Sequence, residues 1–176
     1  NMKNILFLLL VFPVVLSGQT TDDFSDGNFT DNPPWTGDVD CFEVNQSGQL
    51  HLAGSGNDTA FLSTATVIQD EIEWRFWLRM SFNTSANNYS RIYLGAHEAQ
   101  LTNSPEGMYL QAGGTDDSIS LIHQEGGNSR KVFTIKSYRT NHSTNILRFR
   151  LIFSKNTWTV MMDSAGGFNF HTEGSF

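Results

Sequence analysis

The sequence predicts an all-β chain folded as a two-sheet antiparallel sandwich, and three observations lead there. Apolar and polar residues alternate at a period of two over long stretches, as half-buried strands require. Aromatic residues make up 12%, with 14 phenylalanines, a bias that suits pleated surfaces. Clusters of Gly, Asn, Asp, Ser and Thr break the chain at short intervals and supply turns. No window holds an i, i+3, i+4, i+7 apolar pattern of useful length, so helices are not expected. With 176 residues, no fixed-period repeat and no internal linker, a single domain is predicted.

The opening reads as a signal peptide over residues 1–18. Met2 and Lys3 precede an apolar run over 5–16, too short to span a bilayer, and small residues follow at Ser17 and Gly18. The domain then covers 19–176, and the expected location is extracellular or on the cell surface, without a membrane span. Short strands are predicted over 42–45 and 49–52, joined by Gln46-Ser47-Gly48 as a hairpin, and over 60–63 after the breakers at 54–58. The longest alternation sets Trp74, Phe76, Leu78, Met80 and Phe82 towards a core, against Glu73, Arg75, Trp77, Arg79 and Ser81. After a polar loop at 83–88, strands are predicted over 90–96, 108–112, 118–124 and 131–136. Leu147, Phe149, Leu151 and Phe153 alternate with Arg148, Arg150 and Ile152, and this strand turns at Ser154-Lys155-Asn156 into another over 157–162. About ten such strands leave a sandwich or barrel as the economical packing, and two sets of large aromatics favour the sandwich. The end at Gly174-Ser175-Phe176 reads as a turn without a capping element, so the domain is expected to be incomplete at its C-terminus.

Charge and cysteine use narrow the functions. The formal charge is −7 and becomes −8 once Lys3 leaves with the leader, which disfavours nucleic acid as a partner. Cys41 is the single cysteine, so no internal disulfide forms, and a buried, inert thiol is expected. The aspartates Asp22, Asp23 and Asp26 form a candidate calcium site, since Ca²⁺ takes six to eight oxygens. They do not make an EF-hand, because Phe24 stands at a ligand position and Pro33 where the closing glutamate belongs. Glu71 and Glu73 are two apart on one strand, roughly 6–7 Å, a separation compatible with a glycosidase pair. Glu71-Ile72-Glu73 resembles the start of the Glu-Ile-Asp-x-x-Glu motif of laminarinase-like jelly-roll glycosidases, yet Phe76 replaces the acid/base glutamate. There is no Gly-x-Ser-x-Gly elbow, no phosphate-cradling loop before a helix, and no metal-ligand spacing among His51, His97, His123, His142 and His171.

Aromatics on wet faces are the better lead. Trp77 falls on the polar side of its strand, Tyr93 and Tyr109 have Arg91 and Gln111 as same-face neighbours, and Trp35 follows Pro33-Pro34 in a loop. Sugars stack their CH faces on such rings while polar neighbours bond the hydroxyls. Trp77, Tyr93, Tyr109, Arg91 and Gln111 are therefore the candidate ligand-binding residues.

Several segments also carry a family resemblance: residues 22–29, Pro34-Trp35-Thr36-Gly37-Asp38, Phe42-Glu43-Val44-Asn45, Glu73-Trp74-Arg75-Phe76-Trp77 and Gly113-Gly114-Thr115-Asp116-Asp117. They resemble the N-terminal module of secreted Bacteroidetes proteins that carry lamin-tail domains and a type IX secretion tail. The resemblance implies a concanavalin A-like jelly roll, an extracellular or cell-surface setting, further domains downstream, and no established activity. The expected function is a non-catalytic interaction module, with polysaccharide or cell-surface glycan as partner. An atypical laminarinase-like hydrolase and a structural spacer are the alternatives.

Overall fold

Twelve strands appear in the computed structural model among its described residues, 19–54 and 59–176; the expected leader and the breakers at 55–58 lie outside them. In chain order they are β1 (Thr36–Gly37), β2 (Phe42–Val44), β3 (Leu50–Leu52), β4 (Leu62–Ser63), β5 (Ile72–Met80), β6 (Ser90–Ala96), β7 (Gly107–Ala112), β8 (Ile119–Glu125), β9 (Asn128–Ile135), β10 (Asn145–Ser154), β11 (Thr157–Asp163) and β12 (His171–Ser175). Two short 3-10 turns are the helical content of the described residues, and none is long or apolar enough to cross a membrane.

All pairings are antiparallel. The first large sheet runs β12-β11-β10-β5 and the second β6-β7-β8-β9, while β1-β4 and β2-β3 form two-stranded ribbons. In the first sheet Phe76, Leu78 and Trp74 lie opposite Phe149, Leu147 and Leu151, so the alternation read from sequence holds on both strands. Phe149, Leu147, Leu151, Val160 and Met162 from this sheet pack against Leu94, Leu110, Ala112, Ile119, Leu121 and Ile135 from the other in one fully buried cluster. That shared core makes the two sheets a β-sandwich. Burying each such side chain contributes about 1.5–3 kcal/mol. The indole N–H of Trp74 ties the layers by donating to the Leu94 carbonyl at 2.9 Å.

Two expectations need correction. The C-terminal stretch is not an uncapped turn: β12 pairs with β11, Phe176 and Trp158 exchange backbone hydrogen bonds of 3.0 and 3.1 Å, and the Phe176 ring stacks on Phe133. The segment His171-Thr172-Glu173-Gly174-Ser175 lacks an apolar face because it is an edge strand with little to bury. Trp77, expected beside the tyrosines, lies on the other sheet. β5 belongs to the first sheet and β6 and β7 to the second, so the alternation of each puts its polar face on opposite outsides of the sandwich.

Candidate functional site

The outer face of the second sheet gathers four of the five candidate residues. Register places Arg91 opposite Gln111 and Tyr93 opposite Tyr109 on the edge strand β6 and its neighbour β7, while Leu110 and Ala112 alternate into the core. The Arg91 guanidinium lies 5.0 Å from the Tyr109 ring centroid and 5.1 Å from that of Tyr89, so it bridges two aromatic rings. Its Nε donates to Gln111 Oε1 at 3.0 Å, and Gln111 in turn donates to the Gly113 carbonyl at 3.1 Å. Every link of that chain fixes the next, so the arginine is oriented before any ligand arrives.

Tyr109 is only 2% exposed. Its ring sits 4.9 Å from that of Tyr93 under Arg91, which makes it the floor of the strip rather than a free stacking surface, contrary to the sequence expectation. The tyrosine that meets solvent is Tyr89, 37% exposed, two residues before Arg91. Alternation through 89, 91 and 93 carries that signal, but Tyr89 lies between the polar loop at 83–88 and the strand predicted over 90–96. Burial raises the Tyr93 phenol above its ordinary pKa, and its O–H points to Gln124 Oε1 at 3.5 Å.

Polar groups continue across β8 and β9. Ser118, Ser120 and Thr134 link hydroxyl to hydroxyl at 3.2 and 3.0 Å. Lys131 donates to Asp116 at 2.7 Å and holds the Asp116 carboxyl down at about 2, aided by Ser118. The turn that carries Asp116 requires glycine at 113, where φ is +98° and an added Cβ would stand 2.5 Å from Thr84.

On the opposite exterior, Trp77 lies against the β11–β12 loop: a Cβ on Gly166 would meet the indole Nε1 at 2.9 Å. Arg148, opposite Trp77 in the register, donates to the Gly166 carbonyl at 3.0 Å and stacks on Phe168 at 4.2 Å. Phe168 is 78% exposed, and nothing in its loop sequence distinguished it beforehand.

Glu73 is engaged elsewhere. Arg150 grips both its oxygens at 3.0 and 2.9 Å and Arg75 adds a further contact, so its pKa falls, first through the Arg150 hydrogen bonds. A glycosidase acid needs the opposite shift. Glu71 accepts from Ser154 at 2.8 Å, and Phe76 is turned inward against Phe149.

Asp22, Asp23 and Asp26 each accept a backbone N–H two residues on, from Phe24, Ser25 and Asn28, and Asp22 also receives the Trp35 indole N–H at 2.9 Å. They act as turn formers. Among the described residues no group of three or more His, Cys, Asp or Glu side chains converges as metal ligands. Cys41 is half-buried beside Gly54, not buried as the sequence suggests, because it closes a short 3-10 turn at the start of the β2–β3 ribbon rather than lying in the shared core. No family model, no curated protein and no solved structure matches this chain.

Proposed function

We propose that this chain is a secreted, non-catalytic carbohydrate-binding module with a concanavalin A-like jelly-roll arrangement, displayed at the cell surface, of the kind its sequence resembles in Bacteroidetes. The observation that carries this reading is the arginine held between Tyr89 and Tyr109 and fixed by Gln111. The exposed Tyr89 ring offers an apolar plate for the CH face of a sugar. Arg91, Gln111 and the Tyr93 hydroxyl offer donors and acceptors to its hydroxyls. Because these groups are already ordered, binding spends little conformational entropy on them.

Retention on a polysaccharide affinity gel, with the polysaccharide chosen by a glycan array, tests it. Tyr89→Ala and Arg91→Ala should each weaken binding about tenfold, or about 1.4 kcal/mol, with unchanged melting. Unaltered retention in the double variant defeats the proposal. In this reading calcium has no part, because Tyr89, Arg91 and Gln111 meet the sugar on the second sheet without the turn that Asp22, Asp23 and Asp26 form. Retention should therefore survive EDTA.

A further inference from the structure

β5 is a long, regular edge. It is nine residues long, hydrogen-bonds to β10 on one side and, among the described residues, to no strand on the other. Natural edges are blunted by charged side chains, proline, bulges, short length or a covering loop. β5 has no proline and no bulge: its sequence is Ile-Glu-Trp-Arg-Phe-Trp-Leu-Arg-Met, its register against β10 runs without a shift, and its charges, Glu73, Arg75 and Arg79, all fall on one face and are of opposite sign, so they can pair across a two-fold. By contrast β6, one edge of the other sheet, is broken by an irregularity between Tyr93 and Gly95. The flank is also apolar. Trp74, Phe76 and Leu78 stay partly exposed while their β10 partners are fully buried, and Ile68, 53% exposed, lies against Gly95 of β6 beside Val67, 73% exposed.

We infer that β5 pairs antiparallel with β5 of a second copy about a two-fold axis at Phe76, joining the two first sheets into one eight-stranded sheet. The side-chain order selects this partner. Two-fold pairing that keeps core faces on one side sets residue i opposite a residue of the same phase. Centred on Phe76, the register uses all nine positions: Ile72 meets Met80, Glu73 meets Arg79, Trp74 meets Leu78, Arg75 meets Trp77 and Phe76 meets itself. Each unlike pair occurs twice by symmetry, giving two Glu–Arg pairs and two Arg–Trp contacts on the outer face. A shift of the centre to Arg75 sets that arginine against its own copy. A shift to Trp77 sets Arg75 against Arg79 twice. Among the same-phase registers that pair at least seven of the nine residues, only the central one separates the arginines of the two copies, and alternate residues then exchange paired backbone hydrogen bonds. The dimer stands apart from the glycan reading, although two binding faces on one particle would raise avidity if both hold.

Sedimentation equilibrium or light scattering of the purified protein between 1 and about 100 µM is the test. A closed dimer is expected. Arg79→Glu, which sets a carboxylate opposite Glu73 of the other copy, should raise the dissociation constant at least tenfold, whereas Lys155→Glu in the β10–β11 turn should not change it. Near- and far-ultraviolet circular dichroism of the Arg79 variant confirms that it is folded. A wild-type monomer across that range, open-ended aggregation in place of a dimer, or a dimer indifferent to Arg79→Glu would each overturn the inference.

Discussion

Asn145 offers the sharpest test of how the polar face is held in place. It opens β10 opposite Met80, is wholly buried, and directs its amide at three carbonyls: Phe82 at 3.1 Å, Thr140 at 3.3 Å and His142 at 2.9 Å. Its own oxygen accepts the Tyr138 hydroxyl at 3.1 Å. Removing the side chain leaves Thr140 still bonded to Thr84 but strands the partly buried Phe82 carbonyl and Tyr138 hydroxyl, while the exposed His142 can turn its carbonyl to water. At about 1–3 kcal/mol for each stranded group, Asn145→Ala should cost about 4 kcal/mol. For a chain of this size that lowers the melting temperature by roughly 8–16 °C. Asn145→Leu fills the space yet donates nothing, and should lose nearly as much. Urea unfolding followed by tryptophan fluorescence, with the slope unchanged, measures the difference. A cost below about 1 kcal/mol in both variants would refute the reasoning, because the Phe82 carbonyl and Tyr138 hydroxyl would then have other partners. The consequence reaches the candidate site: Thr140 and Thr84 bond to Asp117, which neighbours the Asp116–Lys131 pair.

The remaining expectations follow from the same geometry. Gly113→Ala should destabilise the turn after β7 through both its φ and the Thr84 clash, and the loss should appear in thermal melting together with weaker glycan retention. The Asp116 carboxyl, held near 2, favours the fold above its ordinary value of 3.8 and loses that contribution as pH falls from there towards 2; Lys131→Met should raise its pKa in an NMR titration and flatten that part of the stability profile. Trp74→Phe removes the donor to Leu94 and should cost about 1 kcal/mol in urea unfolding, on top of the lost ring area.

The alternation in β5 and β10 was legible because each strand buries one side. A period of two then writes the core directly into the sequence, and the observed register sets Phe76 against Phe149. The grouping of Arg91, Tyr93, Tyr109 and Gln111 was legible for the same reason, since neighbouring strands of one sheet share a face. Periodicity is local, however, and carries no sheet membership. It set Trp77 on the side away from the core but carried no sign of the β11–β12 loop beside it, nor of which of the two outsides that side is, a matter of strand order alone. It gave no sign of β12, whose backbone bonds to β11 require no apolar side chains. Nor could it rank exposure within a face. Tyr109 and Tyr89 are the same residue type near the same arginine, and only the strands packed around Tyr109 bury the one and leave the other in water. Local chemistry fixed which side chains point together; burial and sheet order, which arise from contacts distant in the chain, decided which of them a ligand could reach.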